Sequence, residues 1–354
     1  MTAVPSRMLA VPIDAYGGPD VLRPRELPTP VPGPGEVLVA AEAVGVGFAQ
    51  TQMRADAFPA PMWHPTLPLL LGGDVVGTVA ALGPGTTGVR VGDRVGAFLM
   101  EGAYADHMVA RADTLVPVPA GLDAAEATVL PGAGPIAVGV LATAGLRPGE
   151  SVLVHAAAGG IGHLVVQLAR AAGAGRILAA ASTPAKREFA AGLGADAVID
   201  PTRPDWPDTV REETGGRGVD VILDSIGGAT LLAGVGALAP AGRLVFYGSA
   251  GGGTDIPRVS VMDLIALKAV TGFSLSAWRA ARPHQYRDGI AELTRRLRDG
   301  TLRPAVHARL PLDQAAAGHR LIEDRLHQGR VVLVPPATPA PEPAPTPQPA
   351  LERS

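Results

Sequence analysis

Residues 151–162 read SVLVHAAAGGIG, and this stretch decides the fold of the chain. A short apolar run ends in a glycine-rich turn, and the amphipathic segment IGHLVVQLARAAG, residues 161–173, follows without a break. A strand, a tight turn and a helix in this order form the unit that holds the phosphates of a dinucleotide at a helix N-terminus. The stretch therefore predicts an α/β protein with a doubly wound parallel sheet of the Rossmann type.

The turn has the spacing of the dinucleotide fingerprint, with alanine at the first of the three positions where glycine is usual. These positions need a tight turn, a close approach of the backbone to the pyrophosphate, and close packing of helix on strand. We expect the cofactor to be bound by Ala157, Gly159, Gly160, Ile161 and Gly162. Because the chain has 45 glycines, an ordinary packing turn is the alternative interpretation.

The segment after the next predicted strand indicates which dinucleotide is bound. Ser182, Thr183 and Lys186 stand where an NAD-specific turn would carry an acidic residue for the ribose hydroxyls. Hydroxyls and cations suit the 2′-phosphate of NADPH, which a carboxylate would repel. The sequence therefore predicts NADPH as the cofactor. The alternative is that Lys186 and Arg187 form a solvated helix face.

Composition excludes several classes of function. The chain has 354 residues, of which 47% are hydrophobic, and this length suggests two domains. A net charge of −3 gives no sign of a nucleic-acid partner or of an anionic membrane surface. There is no cysteine, which excludes disulfides, catalytic thiols and thiolate zinc sites. The eight histidines lack ligand spacing and are expected mostly at the surface, so we predict no metal site.

The N-terminal residues MTAVPSRMLAVPI lack the apolar core of a signal peptide. No apolar stretch of about 18 residues is free of turn-forming residues, so no membrane span is predicted. We therefore expect a cytoplasmic protein.

The pattern along the chain divides it into four parts. Short β-like runs alternate with Pro/Gly turns over residues 1–124, which predicts a β-rich domain. Strand-like and helix-like runs alternate over 125–275, which predicts the doubly wound sheet. Residues 276–334 hold too few elements to fold alone and should rejoin the first domain. Residues 335–354 are rich in proline and are expected to be disordered.

Motifs spread over residues 7–334 resemble a known family. They include LLLGGDVVGTVAALGPG, VGDRVGAF, GAYADHMVA, GVDVILDSIGG and GRLVFYGSAGG, in addition to the phosphate turn. Together they are similar to the zinc-free NADPH:quinone oxidoreductase and enoyl-reductase branch of the medium-chain dehydrogenase/reductase superfamily. In its zinc-dependent relatives a GHE motif and several cysteines appear. Here the GHE equivalent is Gly72, Gly73 and Asp74, and every cysteine is missing.

The resemblance implies a GroES-like catalytic domain in front of the Rossmann domain. It also implies hydride transfer from NADPH to a quinone or an α,β-unsaturated ketone, and a homodimer formed by pairing an edge strand within residues 269–276. Residues after the later strands should meet the nicotinamide half at the carboxyl edge of the sheet. This group of expected cofactor-binding residues comprises Ser225, Gly248, Ser249, Phe273 and Leu275, and Arg325 matches the family's C-terminal arginine.

Several polar residues of the family are absent from the expected active site. Gly47 replaces an asparagine, while Gln52 and Phe58 replace tyrosines. The family's threonine lies in a loop that opens the nucleotide-binding domain; here that loop is PGAGPIAVG, residues 131–139, and the threonine falls near Pro135 and Ile136. A tyrosine that helps to hold the 2′-phosphate appears as Pro201. Gln52 is therefore our candidate catalytic residue, since its amide could hydrogen-bond a substrate carbonyl although it cannot donate a proton as an acid.

These losses leave an alternative of another class, a cofactor-bound binding module or pathway partner without redox chemistry. RNA binding is disfavoured by the acidic pI of about 6.2. The substrate cannot be named from the sequence, and Trp63, His64 and Trp278 are candidates for the apolar wall of its pocket.

Overall fold

The computed structural model describes residues 4–58, 66–250 and 257–336. Trp63, His64 and the proline-rich tail from residue 337 onward lie outside the described residues.

The described chain contains strands in two main sheets and in a small two-stranded sheet of β1 and β3. The strands are β1 (Arg7–Ala10), β2 (Pro12–Ile13), β3 (Arg25–Pro28), β4 (Glu36–Val46), β5 (Leu69–Leu82), β6 (Arg94–Glu101), β7 (His107–Arg111), β8 (Val116–Pro117), β9 (Ser151–Val154), β10 (Arg176–Ala180), β11 (Ala197–Ile199), β12 (Val219–Asp224), β13 (Leu238–Phe246), β14 (Ala269–Gly272), β15 (Val306–Pro311) and β16 (Arg330–Val334).

Helices connect most of the later strands. They are α1 (Phe48–Arg54), α2 (Ala124–Ala127), α3 (Gly134–Ala144), α4 (Gly162–Ala171), α5 (Pro184–Gly192), α6 (Trp206–Glu213), α7 (Gly228–Ala237), α8 (Leu275–Ala281), α9 (Pro283–Arg298) and α10 (Ala315–Glu323).

The second half of the chain forms a six-stranded parallel sheet in the order β11-β10-β9-β12-β13-β14. This is the strand order of the Rossmann fold, so the predicted doubly wound sheet is confirmed. Its strands are apolar because helices cover both faces. Val154 and Leu164 belong to the cluster on the face of α3 and α4, whereas Leu153 and Trp206 belong to the cluster on the face of α6 and α7.

The first domain contains a mainly antiparallel sheet in the order β15-β16-β4-β5-β6-β8, with β7 also pairing β4 and β2 pairing β5. The C-terminal strands β15 and β16 belong to this sheet, and Val332 of β16 stands opposite Gly45 of β4. The chain therefore crosses back from the Rossmann domain to the β-rich domain between β14 and β15.

The segment PGAGPIAVG, predicted as a loop, is helical in the structure. A π-helical turn over Val129–Ala133 leads directly into α3. The helical stretch Ala124–Ala144 is long and apolar enough to cross a membrane, but 72% of its most apolar window is buried inside the protein. Its apolar character thus serves the core on one face of the Rossmann sheet.

Candidate cofactor-binding and catalytic site

Most of the predicted site residues meet at one edge of the Rossmann sheet. Each follows the carboxyl end of a parallel strand, and such ends lie at the same edge, where ligands of this fold bind. The turn at 157–162 follows β9, and Ser182 follows β10. Ser225 follows β12, Gly248 follows β13, and Phe273 follows β14.

The phosphate turn is compact and is fixed by its own backbone. The N–H of Gly159 donates to the carbonyl oxygen of Ala156 at 2.8 Å. A Cβ atom at Gly162 would lie 2.2 Å from that same oxygen, so only glycine fits where α4 begins. Ala157 is completely buried and donates its N–H to Ala180 at 3.0 Å. The N–H groups of His163 and Leu164 donate to the carbonyls of Gly159 and Ile161. Among the described residues the N–H groups of Gly160, Ile161 and Gly162 donate to no backbone carbonyl, so these three remain for an anion at the start of α4.

The predicted 2′-phosphate end contains two cations close to each other. Thr183 caps α5 by accepting from the N–H of Lys186 at 3.3 Å, and this cap places the lysine in the first turn. Burial, together with the charge of Arg325, lowers the pKa of Lys186. Among the described residues neither Lys186 nor Arg325 forms an ion pair. The two positive charges therefore lie together without a carboxylate, as a site for a phosphate requires.

Arg187, the neighbouring cation, is committed elsewhere. Its guanidinium lies 3.1 Å from the Asp200 carboxylate and donates to the carbonyl of Ala181 at 3.0 Å. It therefore ties α5 to the sheet, while Lys186 stays available to a ligand.

The predicted nicotinamide end brings the two domains into contact. The carbonyl of Ser225 accepts from the N–H of Ala250 at 2.8 Å, and Gly248 lies against Ser225. The side-chain amide of Gln52, on α1 of the β-rich domain, donates to the carbonyl of Ser249 at 3.4 Å. Gln52 is only 7% exposed. The candidate catalytic residue and the loop after β13 therefore face each other across the interdomain cleft.

The aromatic residues after β14 form part of the protein's packing. The ring centre of Phe273 lies 6.1 Å from that of Trp278, which lies 5.8 Å from that of Tyr286. Trp278 is buried in this cluster, and Leu275 begins α8. Trp278 therefore lies in an aromatic cluster on α8 and α9. The backbone N–H of Phe273 donates to the carbonyl of Phe246 at 2.8 Å, which holds this peptide at the sheet edge.

The expectation that most histidines lie at the surface is wrong for His107, His155, His163 and His319, all of which are buried. In residues 4–58, 66–250 and 257–336 no group of three or more potential metal ligands comes together.

Sequence reasoning missed the buried contacts beside the phosphate turn. Arg330 of β16 lies against Gly160 and donates to Asp74 of β5 at 2.7 Å and to the hydroxyl of Thr128 at 3.3 Å. His163 of α4 makes two further bonds in the same region. These partners are far apart in sequence, and no local pattern could have pointed to them.

Two family models match the chain. The model described as "Alcohol dehydrogenase GroES-like domain" matches residues 33–120, and the one described as "Zinc-binding dehydrogenase" matches residues 160–295.

Relatives match almost the whole chain. A 2-haloacrylate reductase from a Burkholderia species is 38% identical over 343 residues, which cover 93% of this chain and 100% of the relative. The solved structure of mycobacterial Rv1454c complexed with NADPH is 35% identical, with a TM-score of 0.85, and the match covers 93% of this chain and 100% of that one. Escherichia coli quinone oxidoreductase complexed with NADPH is 29% identical, with a TM-score of 0.84, covering 92% and 100%.

The fold, the cleft and these matches define an oxidoreductase with a GroES-like and a Rossmann domain. The chain belongs to the zinc-free quinone oxidoreductase and enoyl-reductase branch of the medium-chain dehydrogenase/reductase superfamily. The family inferred from the sequence is thereby confirmed.

Proposed function

We propose that this protein is a zinc-independent, NADPH-dependent reductase that transfers hydride to a quinone or an α,β-unsaturated ketone. The observation that carries the proposal is the pair Lys186 and Arg325, two cations without an acidic partner among the described residues. They lie beside the strand end at which this fold distinguishes a 2′-phosphate from a 2′-hydroxyl. The solved relatives that hold NADPH support the same choice of cofactor.

The backbone at the sheet edge fits the rest of a dinucleotide. The first turn of α4 would hold the pyrophosphate, and the loops carrying Ser225, Gly248 and Ser249 would hold the nicotinamide ribose. When bound, NADPH supplies the hydride. The protein's own contribution is to hold that half of the cofactor and the substrate at one place in the cleft.

Gln52 is our candidate for the group that contacts the substrate. Its amide N–H can donate to a carbonyl or quinone oxygen as negative charge develops there. Because an amide is not an acid at neutral pH, the proton then comes from water. Such a site favours quinones and ketones as substrates, because one hydrogen bond from Gln52 can stabilise the negatively charged oxygen that forms on reduction.

The first experiment is titration of the purified protein with NADPH and with NADH. Rapid-mixing measurement of NADPH oxidation follows, with a panel of quinones and enones. Tighter binding of NADPH and oxidation by a member of the panel are expected. Binding without oxidation by any member of the panel would contradict the redox part of the proposal.

A second candidate is a cofactor-bound module without redox activity. The observation that favours it is that the Gln52 amide already donates to Ser249, while Gly47 and Phe58 offer no polar group. Substrate-dependent turnover in the experiment above would exclude this candidate.

We also propose that the protein forms a homodimer through the edge of the Rossmann sheet. Within residues 4–58, 66–250 and 257–336, strand β14 pairs β13 on one side only, and its residues are mostly exposed. Four apolar side chains beside it are 65–81% exposed: Val261, Met262, Ile265 and Leu267. A second copy adding its own β14 would cover this surface and pair the free edge.

A further inference from the structure

The phosphate turn is hydrogen-bonded to the chain that returns to the β-rich domain. The N–H of Gly329 donates to the carbonyl of Ala158 at 2.8 Å. One helical turn further along α4, the side chain of Gln167 accepts from the N–H of Arg303 at 2.9 Å and donates to its carbonyl at 3.1 Å. The turn is thus held from outside its own domain.

His163 makes the central connection in this region. Its Nδ1 lies 2.8 Å from the carbonyl oxygen of Gly159, and its Nε2 lies 3.2 Å from the backbone nitrogen of Ala305. The N–H of Ala305 can only donate, so Nε2 accepts, and Nδ1 must carry the hydrogen that the carbonyl accepts. The side chain is completely buried. One neutral tautomer therefore satisfies both partners.

We infer that His163 is a positioning residue for the pyrophosphate turn, because it fixes the orientation of the peptide between Gly159 and Gly160 against the other domain. The carbonyl of Gly159 accepts from the backbone N–H of His163 at 3.2 Å as well as from its ring. In a trans peptide the N–H points opposite to the carbonyl. Holding the carbonyl toward α4 therefore directs the N–H of Gly160 away from the helix, and keeps a carbonyl oxygen from facing the phosphates.

Burial keeps the His163 ring neutral. It is the main cause that lowers the pKa of His163 to about 4, it outweighs the bond to the Gly159 carbonyl, which raises the pKa, and Arg330 and His327 lower the pKa further. A protonated ring would place an N–H against the N–H of Ala305, so the bond to the other domain would be lost. Near neutral pH both bonds coexist.

The inference rests on the proposed binding of a dinucleotide, which titration of the wild-type protein checks first. If wild type binds neither NADPH nor NADH, the proposed function fails, and the role of His163 fails with it. If wild type binds, three variants decide the role of His163: His163→Phe, His163→Asn and Gln167→Met. The measurements are the Kd values for NADPH and NADH and the thermal unfolding of each cofactor-free variant.

We expect His163→Phe to raise both Kd values by about 10-fold, because a change of this size corresponds to the loss of roughly one to two hydrogen bonds. The factor should be equal for NADPH and NADH, because the pyrophosphate is common to both. His163→Asn should recover most of the affinity, since its amide can still donate to Gly159 although it cannot reach Ala305. Because His163→Asn keeps the bond to the Gly159 carbonyl, its Kd values test the inference if His163→Phe does not fold.

Gln167→Met is the matched control, since it removes two bonds to the same returning segment and one to the backbone carbonyl of His163, but no bond to residues 157–162 or to the His163 ring. It should lower the unfolding temperature and leave both Kd values within about twofold. Equal loss of affinity in Gln167→Met and His163→Phe would overturn the inference, because the effect would then come from the domain junction. Unchanged affinity in His163→Phe, or an affinity in His163→Asn as weak as that expected for His163→Phe, would overturn it as well.

Discussion

The guanidinium of Arg330 donates a hydrogen bond of 2.7 Å to the carboxylate of Asp74, and both side chains are buried. A Cβ atom on Gly45, which stands opposite Asp74 in the sheet, would lie 2.1 Å from the Arg330 guanidinium, so glycine makes room for the pair. Because Arg330 also lies against Gly160, the pair joins the β-rich sheet to the phosphate turn. In the motif comparison made from the sequence, Asp74 is the expected equivalent of the glutamate in the GHE motif of zinc-dependent relatives; its partner in this structure is an arginine.

Removing one member of this pair should destabilise the protein strongly. Arg330→Met leaves a buried carboxylate without its counter-charge, so we expect the free energy of unfolding to fall by about 3–5 kcal/mol. The double variant Arg330→Met/Asp74→Leu should lose less than the sum of the two single variants. Urea unfolding monitored by circular dichroism measures all three.

An exposed ion pair provides the control for this prediction. Arg309 and Asp123 also lie 2.7 Å apart, but nearly half of each side chain is exposed. Arg309→Met should cost less than about 1 kcal/mol. Equal losses from Arg309→Met and Arg330→Met would contradict the importance of burial.

Lys186 should discriminate between the two nicotinamide cofactors. Lys186→Ala removes one of two cations facing the expected 2′-phosphate, so the Kd for NADPH should rise by about 10-fold or more while that for NADH stays within about twofold. Fluorescence titration with both cofactors gives the ratio. The matched variant Arg187→Ala should leave this ratio unchanged, because Arg187 is paired with Asp200. A change of the ratio in Arg187→Ala but not in Lys186→Ala would contradict the prediction, because it would mean that Arg187 and not Lys186 binds the 2′-phosphate.

Gln52 should affect turnover more than cofactor binding. Gln52→Leu keeps the volume of the side chain but removes the amide that would donate to the substrate oxygen, so we expect kcat to fall by about 10- to 100-fold. The Kd for NADPH should change by less than about threefold, since the bond between Gln52 and Ser249 is long at 3.4 Å. Steady-state kinetics with the best quinone or enone and a direct titration separate the two effects. An unchanged kcat would reduce Gln52 to a polar residue of the cleft wall.

The sequence predicts the parts of this fold that have local patterns. Strands β4 and β16, Glu36–Val46 and Arg330–Val334, have bounds that are visible in the sequence because each is a continuous strand-forming run between turn residues. By contrast, α3 is apolar on most sides and contains glycine and proline, so it shows no helical period. Helix α1 has only seven residues, too few for a period to be visible.

The candidate site also contains residues that local sequence patterns predict and contacts that they do not. The glycine spacing and Lys186 are visible because they occupy fixed positions after predicted strands. The connection between His163 and Ala305 spans 142 residues, and that between Arg330 and Asp74 spans 256. Such contacts depend on how the last strands return to the first domain, and no short motif encodes them.

The proposed dimer can be broken at its apolar surface. Ile265 and Leu267 are 74% and 81% exposed beside the edge strand, so Ile265→Asp/Leu267→Asp would place charges where a second copy is expected. We expect the mass measured by analytical ultracentrifugation to fall from that of a dimer to that of a monomer, with the free energy of unfolding of the monomer nearly unchanged. A control pair of aspartates at the exposed Val31 and Val91, on the β-rich domain, should leave the dimer intact. A wild-type protein that sediments as a monomer would contradict the proposal directly.

Buried histidines should make the stability of the protein fall in mild acid. Nε2 of His319 lies 2.9 Å from the Tyr104 hydroxyl, and burial together with Arg54 lowers the pKa of His319 to about 3. The pKa of His163 is lowered to about 4. In the unfolded chain both rings take up protons below about pH 6.5, whereas in the folded protein they stay neutral, so the free energy of unfolding falls as the pH decreases from 6.5 toward 4.

The upper part of this range isolates the histidines, because most carboxylates titrate below about pH 5. Between pH 6.5 and about pH 5 each of the two rings should cost up to about 2 kcal/mol, and above pH 6.5 their contribution is constant. Urea unfolding of His319→Gln should therefore show a shallower dependence on pH in this interval than wild type, and His284→Gln, a change at an exposed position on α9, should not. Identical slopes for wild type and His319→Gln would mean that the buried ring is protonated in the folded protein, so that its bond to Tyr104 does not depend on a neutral imidazole.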